Sequence, residues 1–308
     1  MKQLYLTLVA ASALAATGAA QTKSGDEPFL GRWDITVTTQ AATYPDWMEV
    51  KQANSGLAAT IQPRSGSTLQ ATNLKKDGAR HLTLTAGPAT WDLTLSGNDQ
   101  FTGTIKQNDM VRGQLAGVRA PALKRPAPAR WTTPEPLFNG KDLTGWEPMT
   151  PANNHWVVKD GELVNEDHGS NIKTTRKFDD FQLHIEFNCP DKGNSGIYLR
   201  GRYEVQVEYE AVDANDKFHS IGAVYSMIAP SVDLPRKPGT WESFDITLVG
   251  RTLTVIRDGV KTIDQQEIAG VTGGALDSHE GEPGPFYIQG DHTGGMKYRN
   301  ITISVPKK

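Results

Sequence analysis

Cysteine is nearly absent: Cys189 stands alone in a chain of 308 residues. One thiol excludes an internal disulfide and any cysteine-rich zinc site, so stability must come from a buried core. Long apolar runs are also missing. The stretch from Leu4 to Leu14 is too short for the roughly 20 residues of a membrane helix, and no later stretch approaches that length. Nor is there an excess of basic charge. A formal net charge of -3, with both signs interspersed, leaves no footprint for nucleic acid and suits a neutral ligand better than a polyanion. Helical periodicity is the last absence, and it points to an all-β chain.

What is present begins with an export signal. Lys2, the apolar run and the small residues Gly18-Ala19-Ala20 predict a cleavable signal peptide over residues 1–20, cut before Gln21. No cysteine follows the cut to carry a lipid, so the expected location is periplasmic or secreted.

Residues 28–119 read as a small all-β accessory domain. Phe29 to Val37 opens a series of short alternating segments, with turn residues such as Lys76-Asp77-Gly78, Asn98-Asp99 and Gln107-Asn108-Asp109 between them. That spacing predicts a small antiparallel barrel or sandwich. Gly31-Arg32-Trp33 resembles the Gly-X-Trp that opens lipocalin-like barrels, in which the tryptophan plugs one end. Residues 120–134 form a Pro-rich linker, with five prolines from Pro121 to Pro136. Such a composition favours extended conformers that hold two domains apart semi-rigidly, with Trp131 free to dock on one of them.

Residues 135–308 are again β-rich. Trp156 to Lys159 and Glu162 to Asn165 flank the turn Asp160-Gly161, and Phe181 to Asn188 alternates cleanly between apolar and polar residues. Many strands, each with one apolar and one polar face, predict two stacked antiparallel sheets with a concave polar face able to hold a sugar.

The stretch from Gly193 to Glu208 is a polar turn feeding a strand. Alternation puts Tyr203, Val205 and Val207 on one face and Glu204, Gln206 and Glu208 on the other. The same phase carried backward adds Tyr198 and Arg200 to the polar side. The pattern equally suits a solvated outer face whose charges form weak surface pairs.

Five stretches together, Phe138 to Trp146, Trp156 to Leu163, Gly193 to Gln206, Gln289-Gly290-Asp291-His292 and Tyr298-Arg299-Asn300-Ile301, resemble the 3-keto-disaccharide hydrolase family. The resemblance covers residues 135 to 305 and leaves out the N-terminal region. It implies a concanavalin A-like jelly roll and an enzyme that cleaves glycosides already oxidised at C3. Glu204-Val205-Gln206-Val207-Glu208 also resembles the Glu-X-Asp-X-Glu strand of laminarinase-type retaining enzymes. There the outer glutamates act as nucleophile and acid/base, but Gln206 replaces the central aspartate.

A C3 ketone makes the C2 proton acidic, so elimination needs a base, a group that steadies the C3 oxyanion, and a proton donor for the leaving C1 oxygen. Glu204 is the expected base or metal ligand, Arg200 the oxyanion stabiliser and His292 the proton donor. Gln206, Tyr198, Asn194, Glu186, Gln289, Asp291, Trp241 and Glu208 are the expected substrate-binding residues, although core packing also suits Trp241 and turn capping also suits Asn194. His184 and Glu186, two apart on one strand face, allow a shared divalent metal, but no spacing identifies one. Two other functions fit the same features: a non-catalytic, lectin-like carbohydrate-binding protein, and a conventional retaining glycosidase using Glu204 and Glu208. Oligomeric state is not legible.

Overall fold

The computed structural model describes residues 27–54, 56–64, 66–210 and 216–307. The export signal read from residues 1–20 lies outside the described residues. Among those described, the helices are two single 3-10 turns, Pro151–Asn153 and Lys217–His219. No helix of the described residues is long and apolar enough to cross a membrane.

The N-terminal nine-stranded sheet runs in simple antiparallel succession through neighbouring hairpins. Strand alternation makes its inside. In His81–Ala86, for example, Leu82, Leu84 and Ala86 are buried while the residues between them are half-exposed. Leu69–Gln70 pairs with Gly56–Gln62 at one edge, and Thr72–Asp77, just beyond, pairs with His81–Ala86 at the other. One bent stretch thus bridges both edges and nearly closes the sheet into a barrel, which hides edge groups that would otherwise pair with other chains. The inward positions form a single cluster that includes Trp33, Met48, Trp91 and Phe101. Trp33 donates to the Phe29 carbonyl (2.8 Å), and the Arg119 guanidinium covers its indole at 3.8 Å. The interior is filled by side chains, as in small barrels generally.

The C-terminal region forms two antiparallel sheets of eight and five strands. They enclose one core, to which Ile197, Val205 and Val207 contribute from the smaller sheet and Ile185, Phe187 and Phe244 from the larger. A buried hydrogen bond from Tyr298 to Ser195 (2.7 Å) crosses between them.

The Pro-rich stretch does not hold the two parts away from each other. The Arg251 amide donates to the Leu123 carbonyl, Arg125 pairs with Asp179 and Asp180, and Trp131 bridges to Pro306, so this stretch lies along the C-terminal sheets. An extended chain has unpaired backbone groups, and here a neighbouring surface satisfies them. The barrel itself touches the C-terminal region directly: Arg32 pairs with Glu267 (2.7 Å), Thr36 meets Ser278 (3.2 Å) and the Trp47 ring lies on Gly270.

Gly117 faces the Phe101 ring so closely that an added Cβ would lie 2.2 Å from its atoms. Gly117→Ala should therefore destabilise the chain by about 1–3 kcal/mol through overpacking. Urea unfolding should show that loss, with part of it recovered when Phe101→Leu is added.

Candidate active site

The smaller sheet orders its strands Trp146–Pro148, Ile172–Thr174, Tyr287–Ile288, Asn194–Leu199 and Tyr203–Glu208. The last two form a hairpin in which Asn194 faces Glu208, Gly196 faces Gln206 and Tyr198 faces Glu204. Cross-strand partners project to the same side. Tyr198, Glu204, Gln206 and Glu208 thus share one face, opposite the apolar positions that enter the core.

That face is not a solvated exterior. Glu204 is 4% exposed, Gln206 2% and Glu208 5%. Two segments enclose it: the turns around Gly222 to Tyr225, whose backbone pairs with residues 204–206, and the stretch around Thr272 to Gly274. Burial converts a row of charged and amide groups into a site with strong electrostatics.

The Glu204 carboxyl rests on the Gly196 backbone, where a Cβ would stand 2.1 Å from Oε1. Its Oε2 lies 2.8 Å from the Tyr198 hydroxyl, which is also 2.6 Å from the Gly273 carbonyl. A phenol has one proton, and an ionised carboxylate and a carbonyl both need it. If Glu204 is protonated, it donates to Tyr198 and Tyr198 donates to Gly273, so every contact is satisfied. Consistent with this, burial pushes the Glu204 carboxyl up to about 8, against the hydrogen bond with Tyr198 and the attraction of His292. Tyr287 stacks on Tyr198 at 3.9 Å and donates to the Gly274 carbonyl (2.6 Å), so the same backbone stretch pins both phenols.

Further along the face, the Gln206 amide donates to Glu208 (2.9 Å). Burial first, then Glu210, pushes Glu208 up to about 7. The Gln289 amide donates to Tyr198 (3.2 Å). Three buried acceptors here, Oε1 of Gln206, Glu208 and Gln289, have no protein donor.

His292 enters from the loop after the Tyr287–Ile288 strand. Its Nδ1 lies 2.9 Å from Asp291, whose other oxygen accepts from Asn171 (3.2 Å). The Asp291 hydrogen bond raises the imidazole above its ordinary range, partly offset by burial. Burial works to raise Asp291, but its bonds to His292 and Asn171 prevail and hold it low. Such a pair fixes the proton on Nδ1 and leaves Nε2 as the basic nitrogen. Glu204 and His292 each feel the other's charge.

The structure thus gathers Glu204, Tyr198, Gln206, Glu208, Asn194, Gln289, Asp291 and His292 around one face. Three expected members lie elsewhere. Arg200 is in the hairpin turn, where positive φ at Arg200 (53°) and Gly201 (69°) breaks the alternation. It is buried beside Tyr203, Asp179 and the Gly250 carbonyl, away from the Glu204 face. Glu186 belongs to the larger sheet, where it pairs with Arg299 and Asn300. Trp241, at the start of another strand of that sheet, carries the Arg299 guanidinium on its ring at 3.9 Å. His184 bonds Asp245 (2.7 Å), so the His184 and Glu186 pair is engaged in the same outer network. Among the described residues, no three His, Cys, Asp or Glu side chains gather in a metal-binding cluster.

Tyr287, Asn171 and Tyr225 are additions that the sequence reading missed. Alternation from Gln289 would have put Tyr287 on the polar face; nothing local marks the other two.

A model of the 3-keto-alpha-glucoside-1,2-lyase-like domain matches residues 133–304. Among solved structures, a provisionally named glycosyl hydrolase from Parabacteroides distasonis is 30% identical over 59% of this chain and 93% of its own, with a TM-score of 0.47. A second such protein from the same organism is 20% identical over 57% of this chain and 94% of its own, also at 0.47. No curated protein matches the chain.

The folded chain keeps the Glu204 proton to about pH 8, whereas an unfolded glutamate releases it near 4.5. This group therefore costs stability progressively as pH rises between those values, and no more above them. Glu204→Gln escapes that cost. Its melting temperature should gain on the wild type as pH rises through the interval, and a constant difference would contradict a raised carboxyl.

Proposed function

The chain belongs, over residues 133–304, to the 3-keto-alpha-glucoside-1,2-lyase-like family, and from that membership we propose that it cleaves the glycosidic bond of carbohydrates oxidised at C3, working as an exported enzyme on a jelly-roll scaffold. The observation that carries this reading is a buried Glu204 carboxyl, held by Tyr198, on one polar face with the more exposed His292–Asp291 pair. The three unpartnered acceptors beside it suit a ligand rich in hydroxyl donors.

In this reading the roles suggested by sequence exchange. His292 Nε2 removes the C2 proton, and the electron pair moves into the C3 carbonyl to form the enolate. As the enolate collapses, a C1–C2 double bond forms and the C1–O bond breaks, with Glu204 giving its proton to the departing oxygen. The keto-glycal is released, or water adds to it and the net result is hydrolysis. With Arg200 turned away, the enolate oxygen depends on neutral donors of the face, the remaining amide protons of Gln206 and Gln289. A retaining glycosidase needs one ionised carboxylate as nucleophile, and burial works against that at both Glu204 and Glu208.

Product analysis on 3-keto-disaccharides and their unoxidised parents tests the proposal. The oxidised sugars should be cleaved, with an ultraviolet-absorbing enone when elimination stops before hydration. Equal turnover of both classes would favour a conventional glycosidase, and binding without turnover a lectin.

Glu204→Gln should lower kcat by roughly 10²–10⁴-fold while leaving binding largely intact. The pH profile should be bell-shaped. Activity should be lost below a limb lying above the ordinary histidine range, as His292 gains its proton, and again above about 8, as Glu204 loses its own. An alkaline limb that survives in Glu204→Gln would remove Glu204 as the acid.

A further inference from the structure

The family match begins at residue 133 and leaves out the barrel, yet the barrel reaches the segments that enclose the Glu204 face. The Ser67 hydroxyl lies 2.8 Å from His219 Nε2, the Thr68 amide donates to Ser226 Oγ (2.7 Å), and the Arg64 carbonyl accepts from the Gly274 amide (3.0 Å). Gly274 also accepts from the Tyr287 hydroxyl, and its neighbour Gly273 accepts from Tyr198. The barrel loop therefore holds both walls of the site.

Between His219 and Ser226 stands Tyr225. Its amide donates to the Glu204 carbonyl (3.1 Å), and its ring meets His219 edge-on at 4.6 Å. The antiparallel bridge of Val224 with Val205 sets Tyr225 opposite Glu204, and cross-strand partners project to the same side, so the half-buried phenol shares the face of the carboxylate row. His219 is gripped from both sides, Nδ1 by Asp216 (2.5 Å) and Nε2 by Ser67, so the imidazole cannot rotate without losing a partner. Ser226 has a φ of +62°, a left-handed conformation that is costly for a residue with a side chain. Such a conformation persists only where surrounding contacts over-determine it. Here they come from the Thr68 amide of the barrel and from the Phe218 carbonyl, which accepts from the Ser226 amide (2.9 Å).

We infer that the N-terminal barrel completes the active site: through Ser67 and Thr68 it clamps the turn that carries Tyr225, and Tyr225 is the wall against which the substrate sugar is seated. Ser67, His219 and Ser226 are positioning residues that act through Tyr225. The inference rests on the Glu204 face being the reaction site, and it adds a specificity-determining residue supplied through a second fold.

The test uses the full chain. Ser67→Ala with Ser226→Ala should accelerate hydrogen exchange in peptides covering residues 217–228 by roughly tenfold or more, through loss of two side-chain contacts, while peptides of the barrel core and of Phe181–Asn188 keep their protection. Unchanged exchange at 217–228 would overturn the clamp. On a 3-keto-disaccharide, the same double variant should lose kcat/KM chiefly through KM. Tyr225→Ala should lose it too, and combining the three changes should add little beyond Tyr225→Ala alone. Fully additive losses would overturn the assignment to Tyr225. A wild-type chain that turns over no oxidised glycoside would sink the proposed function, and the exchange measurement would still decide the clamp.

Discussion

The burial of one carboxyl group governs this molecule. Glu204 sits on a strand face that alternation alone would leave to solvent, and it remains there because Gly196 gives it room and Tyr198 gives it a partner. Removing the charge costs less than desolvating it, so the group keeps its proton. That protonation state in turn requires an acceptor chain, which ends on the Gly273 carbonyl. A backbone segment far away in sequence thus becomes part of the acid's environment.

The same segment meets the barrel through Arg64, and the opposite wall meets it through Ser67 and Thr68. Besides the part-exposed Arg32–Glu267 pair, a buried ionic cluster lies at the contact between the two parts. Asp34, on the barrel, is pushed up to about 9 by burial and then by Glu280, and therefore keeps its proton. Burial also works to raise Glu280, but Arg251 (2.7 Å) and the Tyr203 hydroxyl (2.7 Å) prevail and hold it low. One neutral acid, one carboxylate and one guanidinium balance in a buried interface. Removing any single partner from such a cluster would strand the others, which is why buried networks fix a geometry more firmly than exposed ones.

Arg200 shows how a turn redirects chemistry. Its left-handed backbone swings the guanidinium away from Glu204 and toward Tyr203, Asp179 and Gly250, where it supports the end of the sandwich beside the ionic cluster. The cation that a charge-stabilised enolate would use is spent on structure. Apart from the His292–Asp291 pair, the polar face is left with neutral donors and with two carboxyl groups, Glu204 and Glu208, whose affinity for protons is raised.

By itself, the sequence determined what depends on nearest neighbours. The all-β character, the turns and the placement of Glu204, Gln206 and Glu208 on one face follow from a side-chain period of two, which is local. Residues 133–304 also carried enough spaced motifs to mark the family. Tertiary structure decided the rest. Glu186 and Trp241 lie on a polar strand face as legible as that of Glu204, but in the other sheet, and alternation cannot say which sheet lines the site. Nor can it place Tyr225, Asn171 or the Gly273 carbonyl, which arrive from distant segments, or reveal that Ser67 and Thr68 would reach across from another fold. Protonation was likewise beyond local reading, because a carboxyl's proton affinity is set by how much water is excluded around it, and only the folded chain excludes it.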